Sequence, residues 1–334
     1  MRATGSSPDS AAKPDPPSYV EHMSAPARIH LGIDLAWGLA SGRTGVAALD
    51  ASGAYLASAT LRSDDEIVAW AARQAADARL GVVAIDAPIV VPNAVGRRDC
   101  EQEIHKHFGQ FDAGAHSTNR SKPTMNPPRA EELVRRLGLS FDPAAEERAA
   151  LAIEVYPHPA MVGLWGLDLI LKYKHKTKYA FEFRKSEFRA LLAQLTAIES
   201  LRLRDAARWG EIERVVDGAG KHGELNAVED EVDGIVCAYL AWLWAERDAR
   251  LTVYGDVERG YIVAPHPPVH AARRRGDRVA PKRTVRFEDR PPLSDGPIDA
   301  APTFALDGPS GKWMLTGHEA RQLESILLAS RGAG

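Results

Sequence analysis

Cysteine is nearly missing from this chain: Cys100 and Cys237 are the only two in 334 residues. One bridge at most could form, so a disulfide-stapled scaffold is excluded, and two isolated thiols are more simply read as reduced. A zinc site is excluded too unless histidines complete it. Long apolar runs are absent: none approaches the roughly 18 residues of a membrane span, and the N-terminus lacks the apolar centre of a secretory signal, so a cytoplasmic protein is expected. Nor is there an excess of positive charge. The 42 Lys and Arg stand against 45 Asp and Glu, a formal charge of -3, which excludes a surface coated in base for indiscriminate nucleic-acid binding. There is no internal repeat. The 45% hydrophobic content is ordinary for a soluble protein, and the length suffices for one large domain or two small ones.

Residues 1–26, rich in Pro, Ser and Ala without periodicity, read as a disordered leader. The chain then organises itself around Ile29-His30-Leu31-Gly32-Ile33-Asp34-Leu35-Ala36-Trp37-Gly38. Ile29, Leu31 and Ile33 fall on one face at the strand period of two, and His30, Gly32 and Asp34 on the other. A carboxylate ending a buried strand needs a partner. Asp34 either caps a turn, pairs with an arginine, or holds a metal with other acids. Thr44–Leu49 and Tyr55–Leu61 extend the first strand into an antiparallel meander. Ser63 and Glu66 form a capping box that opens a helix through about Arg79. A second buried strand, Gly81–Pro88, carries Asp86 at its carboxyl end, where open α/β sheets place their ligands. If it pairs in parallel with the first strand, Asp34 and Asp86 are neighbours. A third strand, Leu151–Pro157, carries Glu154 in its interior.

Two long insertions interrupt this pattern. Residues 92–128 are polar and irregular, with a short helix expected from Arg97-Arg98 and an open loop holding Asn119 and Arg120; the segment either grips a phosphodiester backbone or is a solvated excursion. A helix over about Arg129–Leu137 and another from about Pro143 follow. Residues 159–227 read as a helical insertion, whose Lys172, Lys174, Lys176 and Lys178, interleaved with aromatics, form a basic patch or a merely solvated lysine run. The last large element, residues 228–243, is a helix whose apolar stripe faces a sheet and whose Asp230 and Asp233 lie three apart. Acids in a first helical turn are favoured by the helix dipole, but the four acids over 229–233 exceed what capping requires. Gly234 beside them allows a close approach to the sheet. After strands at 251–254 and 261–264, residues 266–302 read as a basic Pro-rich linker and 303–334 as a small appendage with a helix at Glu319–Leu328.

The expected fold is α/β: a mixed sheet of meander plus parallel strands, flanked by helices over residues 27–265. This order of elements and acids resembles the ribonuclease H-like fold, and the Asp-x-x-Asp pair of the last helix resembles its RuvC-type resolvase branch. Gly-Ile-Asp-Leu-Ala-Trp-Gly, Ile-Asp-Ala-Pro, Glu-Val-Tyr-Pro and Asp-Glu-Val-Asp-Gly together resemble the bacterial family catalogued as domain of unknown function 429, a set of predicted nucleases. The resemblance spans roughly residues 28–265. It implies a metal-dependent nuclease acting on DNA or RNA. Oxygen ligands suit Mg2+ or Mn2+, and two ions roughly 3.5–4 Å apart would activate water and stabilise the leaving oxygen. Asp34 is then the bridging ligand, Asp86 and Asp233 terminal ligands, and Asp230 or Glu154 completes the shell. Arg97, Arg98 and the Lys172–Lys178 patch would neutralise phosphates. An actin-like phosphotransferase is the alternative enzyme, although no second Gly-rich phosphate hairpin is present; a catalytically silent binding module of the same fold is the other.

Overall fold

The computed structural model describes residues 27–38, 42–144, 150–174 and 179–272, together with the backbone of 304–308 and 311–315. A five-stranded sheet lies at its centre, in the order β3-β2-β1-β4-β5, formed by β1 (Arg28–Asp34), β2 (Thr44–Asp50), β3 (Tyr55–Leu61), β4 (Arg79–Ile85) and β5 (Leu151–Glu154). β1 pairs antiparallel with β2 and parallel with β4, and β4 pairs parallel with β5. The order and the mixture of directions are compatible with a ribonuclease H-like arrangement.

Strand alternation divides the core into two layers. Ile29, Leu31, Ile33, Val83 and Ile85 pack against Ile67 and Trp70 of α1 (Asp64–Gln74) and Leu133 and Val134 of α3 (Arg129–Arg136). On the other face, Ala47, Leu49, Val82, Ala84 and Ile153 meet Val232, Ile235, Val236 and Leu240 of α7 (His222–Ala245). Each such aliphatic side chain, fully buried, contributes roughly 1.5–3 kcal/mol. α7 lies close because the strands beneath it carry glycine. A Cβ on Gly32 would stand 2.0 Å from the Ala238 nitrogen, and one on Gly45 would stand 1.6 Å from the Asp230 carbonyl oxygen. The close approach expected at Gly234 is also present, against the Gly45 backbone.

The capping box of Ser63 and Glu66 forms as expected, but α1 ends at Gln74, not near Arg79. The reason is that Arg79 already donates its amide to Ala27 and opens the β4 ladder, so 75–78 must turn. β5 ends at Glu154, followed by a bridge from Val155 to Val263 and by α4 (Pro157–Trp165). The 92–128 insertion contains a longer helix than expected, α2 (Asp99–Phe108), which packs with the hairpin of β6 (Leu251–Asp256) and β7 (Gly260–Pro265). The helical insertion supplies α4, α5 (Phe181–Thr196) and α6 (Ala207–Gly218). β8 (Phe304–Gly308) and β9 (Gly311–Leu315) form an antiparallel pair. Cys100 and Cys237 are free and buried. No helix among the described residues is long and apolar enough to cross a membrane. Outside the described residues lie the leader at 1–26, most of the helix expected from Pro143, Lys176 and Lys178, almost all of the basic linker, and the helix expected at Glu319–Leu328.

Candidate functional site

Asp34 is the last residue of β1 and Asp86 the first beyond β4. The parallel ladder reaches Asp86, whose amide donates to the Ile33 carbonyl at 2.8 Å. By alternation both side chains project to the α7 face, since Gly32 and Ala84 precede them there. Both are half-buried and stand side by side at the ends of neighbouring parallel strands. Burial pushes Asp86 up to about 7, with Lys174 pulling it down and Asp233 and Glu154 adding repulsion. Asp34 is likewise raised well above the usual carboxylate range, first by burial, against the pull of Lys174 and with the repulsion of Asp233, Asp86 and Asp230. Two carboxyl groups this close do not both ionise readily without a cation.

Asp233 faces this pair from α7 and is wholly buried. The Tyr173 hydroxyl donates to its Oδ1 at 2.6 Å. Its Oδ2 has no aligned hydrogen bond, yet the Lys174 ammonium stands 2.6 Å away, a contact of charges and not of directed orbitals. Burial works against the lysine's proton, but Asp233, Asp34, Tyr173 and Asp86 outweigh it and hold the ammonium charged well beyond its ordinary range. α7 begins at His222, two turns before the acids, so the dipole of a first turn does not explain Asp230 and Asp233. Asp230 is less buried and pairs with Arg43 at 3.3 Å. Burial raises it, against the pull of Arg43.

Glu154 takes another side. Its register partner in β4 is Ile85, whose side chain belongs to the face opposite α7, so Glu154 leans away from the Asp34–Asp86 pair. Arg98 grips both its oxygens, at 2.9 and 2.6 Å, and the Ile89 amide donates at 2.9 Å. Burial raises the Glu154 carboxyl and Arg98 pulls it back. Arg98 also binds Glu101 at 2.8 Å, and Glu101 receives the Thr118 amide and hydroxyl, so the insertion is bolted to the edge of the sheet.

The residues expected to grip phosphate are therefore divided. Arg98 is 3% exposed and engaged within the protein. Asn119 donates to Gly96 and accepts from Ser121, and Arg120 donates to Val91 and Glu131, so both stitch the loop together. Lys172 pairs with Asp112 at 2.8 Å and Lys174 with Asp233. Arg97 is half-buried and makes no ion pair among the described residues. Four residues of this region have partners that the sequence does not announce: Tyr173 donates to Asp233, Arg43 pairs with Asp230, Tyr156 is raised to about 12 first by burial and then by Asp86, and the His158 ring lies 5.7 Å from that of Tyr173. Trp37, three residues past Asp34, is 36% exposed.

The donor chemistry fits a hard divalent cation at Asp34 and Asp86: carboxylate oxygens, crowded and raised, at the carboxyl ends of two parallel strands. Among the described residues no group of three or more His, Cys, Asp and Glu side chains is arranged to hold a metal ion. Tyr173 lies on Oδ1 of Asp233 and the Lys174 ammonium faces Oδ2.

A mixed α/β sheet with helices on both faces and an acidic site at the carboxyl ends of its central parallel strands defines the class of this protein. Within that class the chain belongs to the family described as Protein of unknown function (DUF429), whose model matches residues 32–259. No curated protein and no solved structure matches it.

Proposed function

We propose that this protein is a divalent-metal-dependent nuclease that hydrolyses phosphodiester bonds of DNA or RNA in the cytoplasm. The observation that carries the reading is the adjacency of Asp34 and Asp86 on the α7 face, with no ion pair in contact with either among the described residues. Mg2+ or Mn2+ bound there would supply a polarised phosphate and a water acidic enough to attack near neutral pH. In the hydrolysis a water oxygen bonds to phosphorus, the bond from phosphorus to the leaving oxygen breaks, and that oxygen takes up a proton. This chain's residues contribute the rest. Asp34 and Asp86 would hold the cation and the negative charge at the reaction centre. Tyr173 and Lys174 fix Asp233 opposite them. Arg97 offers charge to a phosphate, and Trp37 offers an exposed ring on which a base can stack.

A second reading has a specific observation behind it. Because Lys174 already neutralises Asp233, the fold also suits a binding module without catalysis. The actin-like alternative has no such support, since one five-stranded sheet, and not a duplicated pair, is found among the described residues. Cleavage of labelled single-stranded, double-stranded and branched oligonucleotides by the full chain, with Mn2+ or with EDTA, separates the two. Hydrolysis that EDTA stops and Asp34→Asn abolishes, with an unchanged circular-dichroism spectrum, supports the nuclease. Equal cleavage by purified Asp34→Asn, or none by the wild type, rules that assignment out.

A further inference from the structure

We propose that Lys174 is a built-in second cation of the acidic site, so that the cluster takes one divalent ion, against Asp34 and Asp86, and not two. The inference rests on the metal-dependent function proposed for the site and sharpens it. Its ground is the distribution of cations over the acids around α7. Asp230 has Arg43 at 3.3 Å, Glu229 has Arg184, Glu231 has Arg208 at 2.6 Å, Glu154 has Arg98 at 2.6 Å, and Asp233 has Lys174 at 2.6 Å. Asp34 and Asp86 have no ion pair within contact distance among the described residues, and Lys174 acts on both from farther off. Once both are ionised, these two carboxylates carry the charge that one divalent ion balances. A second ion would need Asp233, whose Oδ1 is taken by Tyr173 and whose Oδ2 faces the ammonium.

Lys174 is not there by the accident of a long surface side chain. The Tyr173 carbonyl accepts from the Arg184 guanidinium, which is fully buried and also binds His222, Asn226 and Glu229 at the start of α7. The Lys172 amide donates to Glu187 at 2.9 Å, and its ammonium binds Asp112. Three successive residues are thus pinned to α5, α7 and the 92–128 insertion, and the third delivers its charge to a buried carboxylate. Lysine suits the place as a compact point charge that needs no planar partner. The Lys174 side chain is partly exposed, while its ammonium stands against the fully buried Asp233. Lys174 is therefore a positioning residue for Asp233 and a fixed positive charge beside the metal.

Manganese binding to the full-length protein, counted by electron paramagnetic resonance and isothermal titration calorimetry, tests this without reference to activity. The wild type should bind one ion per chain, and Asp34→Asn should bind none. Lys174→Met should bind two, returning to one when Asp233→Asn is added, whereas Lys174→Arg should stay at one. Two ions in the wild type overturn the inference while leaving the metal site standing, and so does one ion in both the wild type and a folded Lys174→Met. No ion in any of the proteins overturns the metal-dependent function and the inference with it. Should Lys174→Met fail to fold, the wild-type and Lys174→Arg counts decide between one ion and two.

Discussion

Replacing Glu154 by glutamine should leave manganese binding intact, while replacing Arg98 by methionine should sharply destabilise the protein. Glu154 is 4% exposed and receives two bonds from Arg98 and one from Ile89. Removing the guanidinium strands that carboxylate and also takes away the 2.8 Å contact to Glu101, itself 1% exposed. Breaking a buried ion pair from one side costs about 3–5 kcal/mol. For a domain of this size that lowers Tm by about 6–20 °C. Glutamine at 154 keeps the acceptor for Ile89 but loses one charged bond, a cost of about 1.5–3 kcal/mol. The double change Arg98→Met with Glu154→Leu should recover much of the loss, because an apolar pair replaces a buried charge pair at little net cost. Chemical denaturation reads the stability, and manganese binding measured on the same preparations reads the site. If Glu154→Gln abolishes binding while its denaturation midpoint is unchanged, Glu154 is a ligand and the division between clamp and site is wrong.

Three further outcomes follow from the same geometry. His30 is buried, its Nδ1 accepts the Val82 amide, and burial with help from Arg28 lowers it to about 4. The unfolded chain therefore takes up this proton first, so the contribution is whole above pH 6.5 and is lost as pH falls towards 4, by up to about 3 kcal/mol. Urea unfolding of the wild type and His30→Gln at pH 7.5 and 4.5 should show a shallower loss in the variant; equal slopes contradict it. Gly32→Ala should destabilise by about 3 kcal/mol or more, since the methyl meets α7 backbone and not a side chain that can swing aside; a thermal melt within 2 °C of wild type, by circular dichroism, would refute the close packing. Tyr173→Phe should cost about 1.5–3 kcal/mol by removing the hydroxyl bond to a buried carboxylate, read by denaturation, with a loss below 0.5 kcal/mol as the contrary result.

Much of the frame was legible because it is local. Alternation at Ile29, Leu31 and Ile33 and the Ser63 and Glu66 capping box each act within a few residues. The parallel pairing that makes Asp34 and Asp86 neighbours stayed a condition in the sequence, which shows only two apolar strands ending alike, and the ladder meets it. The start of α7 was missed because His222, Gly223 and Asn226 are poor helix formers, held there by Arg184 from α5. The side taken by Glu154 depends on its register with Ile85, which sequence parity within β5 does not fix. Arg98 and Glu154 are 56 residues apart and Tyr173 and Asp233 are 60 apart, so no periodicity announces either pair. Lys174 looked like one lysine of a surface run. Its burial against Asp233 arises from the packing of α5 and α7, which only the folded chain brings together.

The most direct measurement is a crystal of the full-length protein soaked in manganese and read by anomalous scattering. One peak in contact with the carboxylates of Asp34 and Asp86, with the Lys174 ammonium still against Asp233, is the predicted result. Soaked crystals with no peak at these two acids, or with a second ion in the place of the ammonium, would contradict a site that pairs one divalent ion with a fixed lysine.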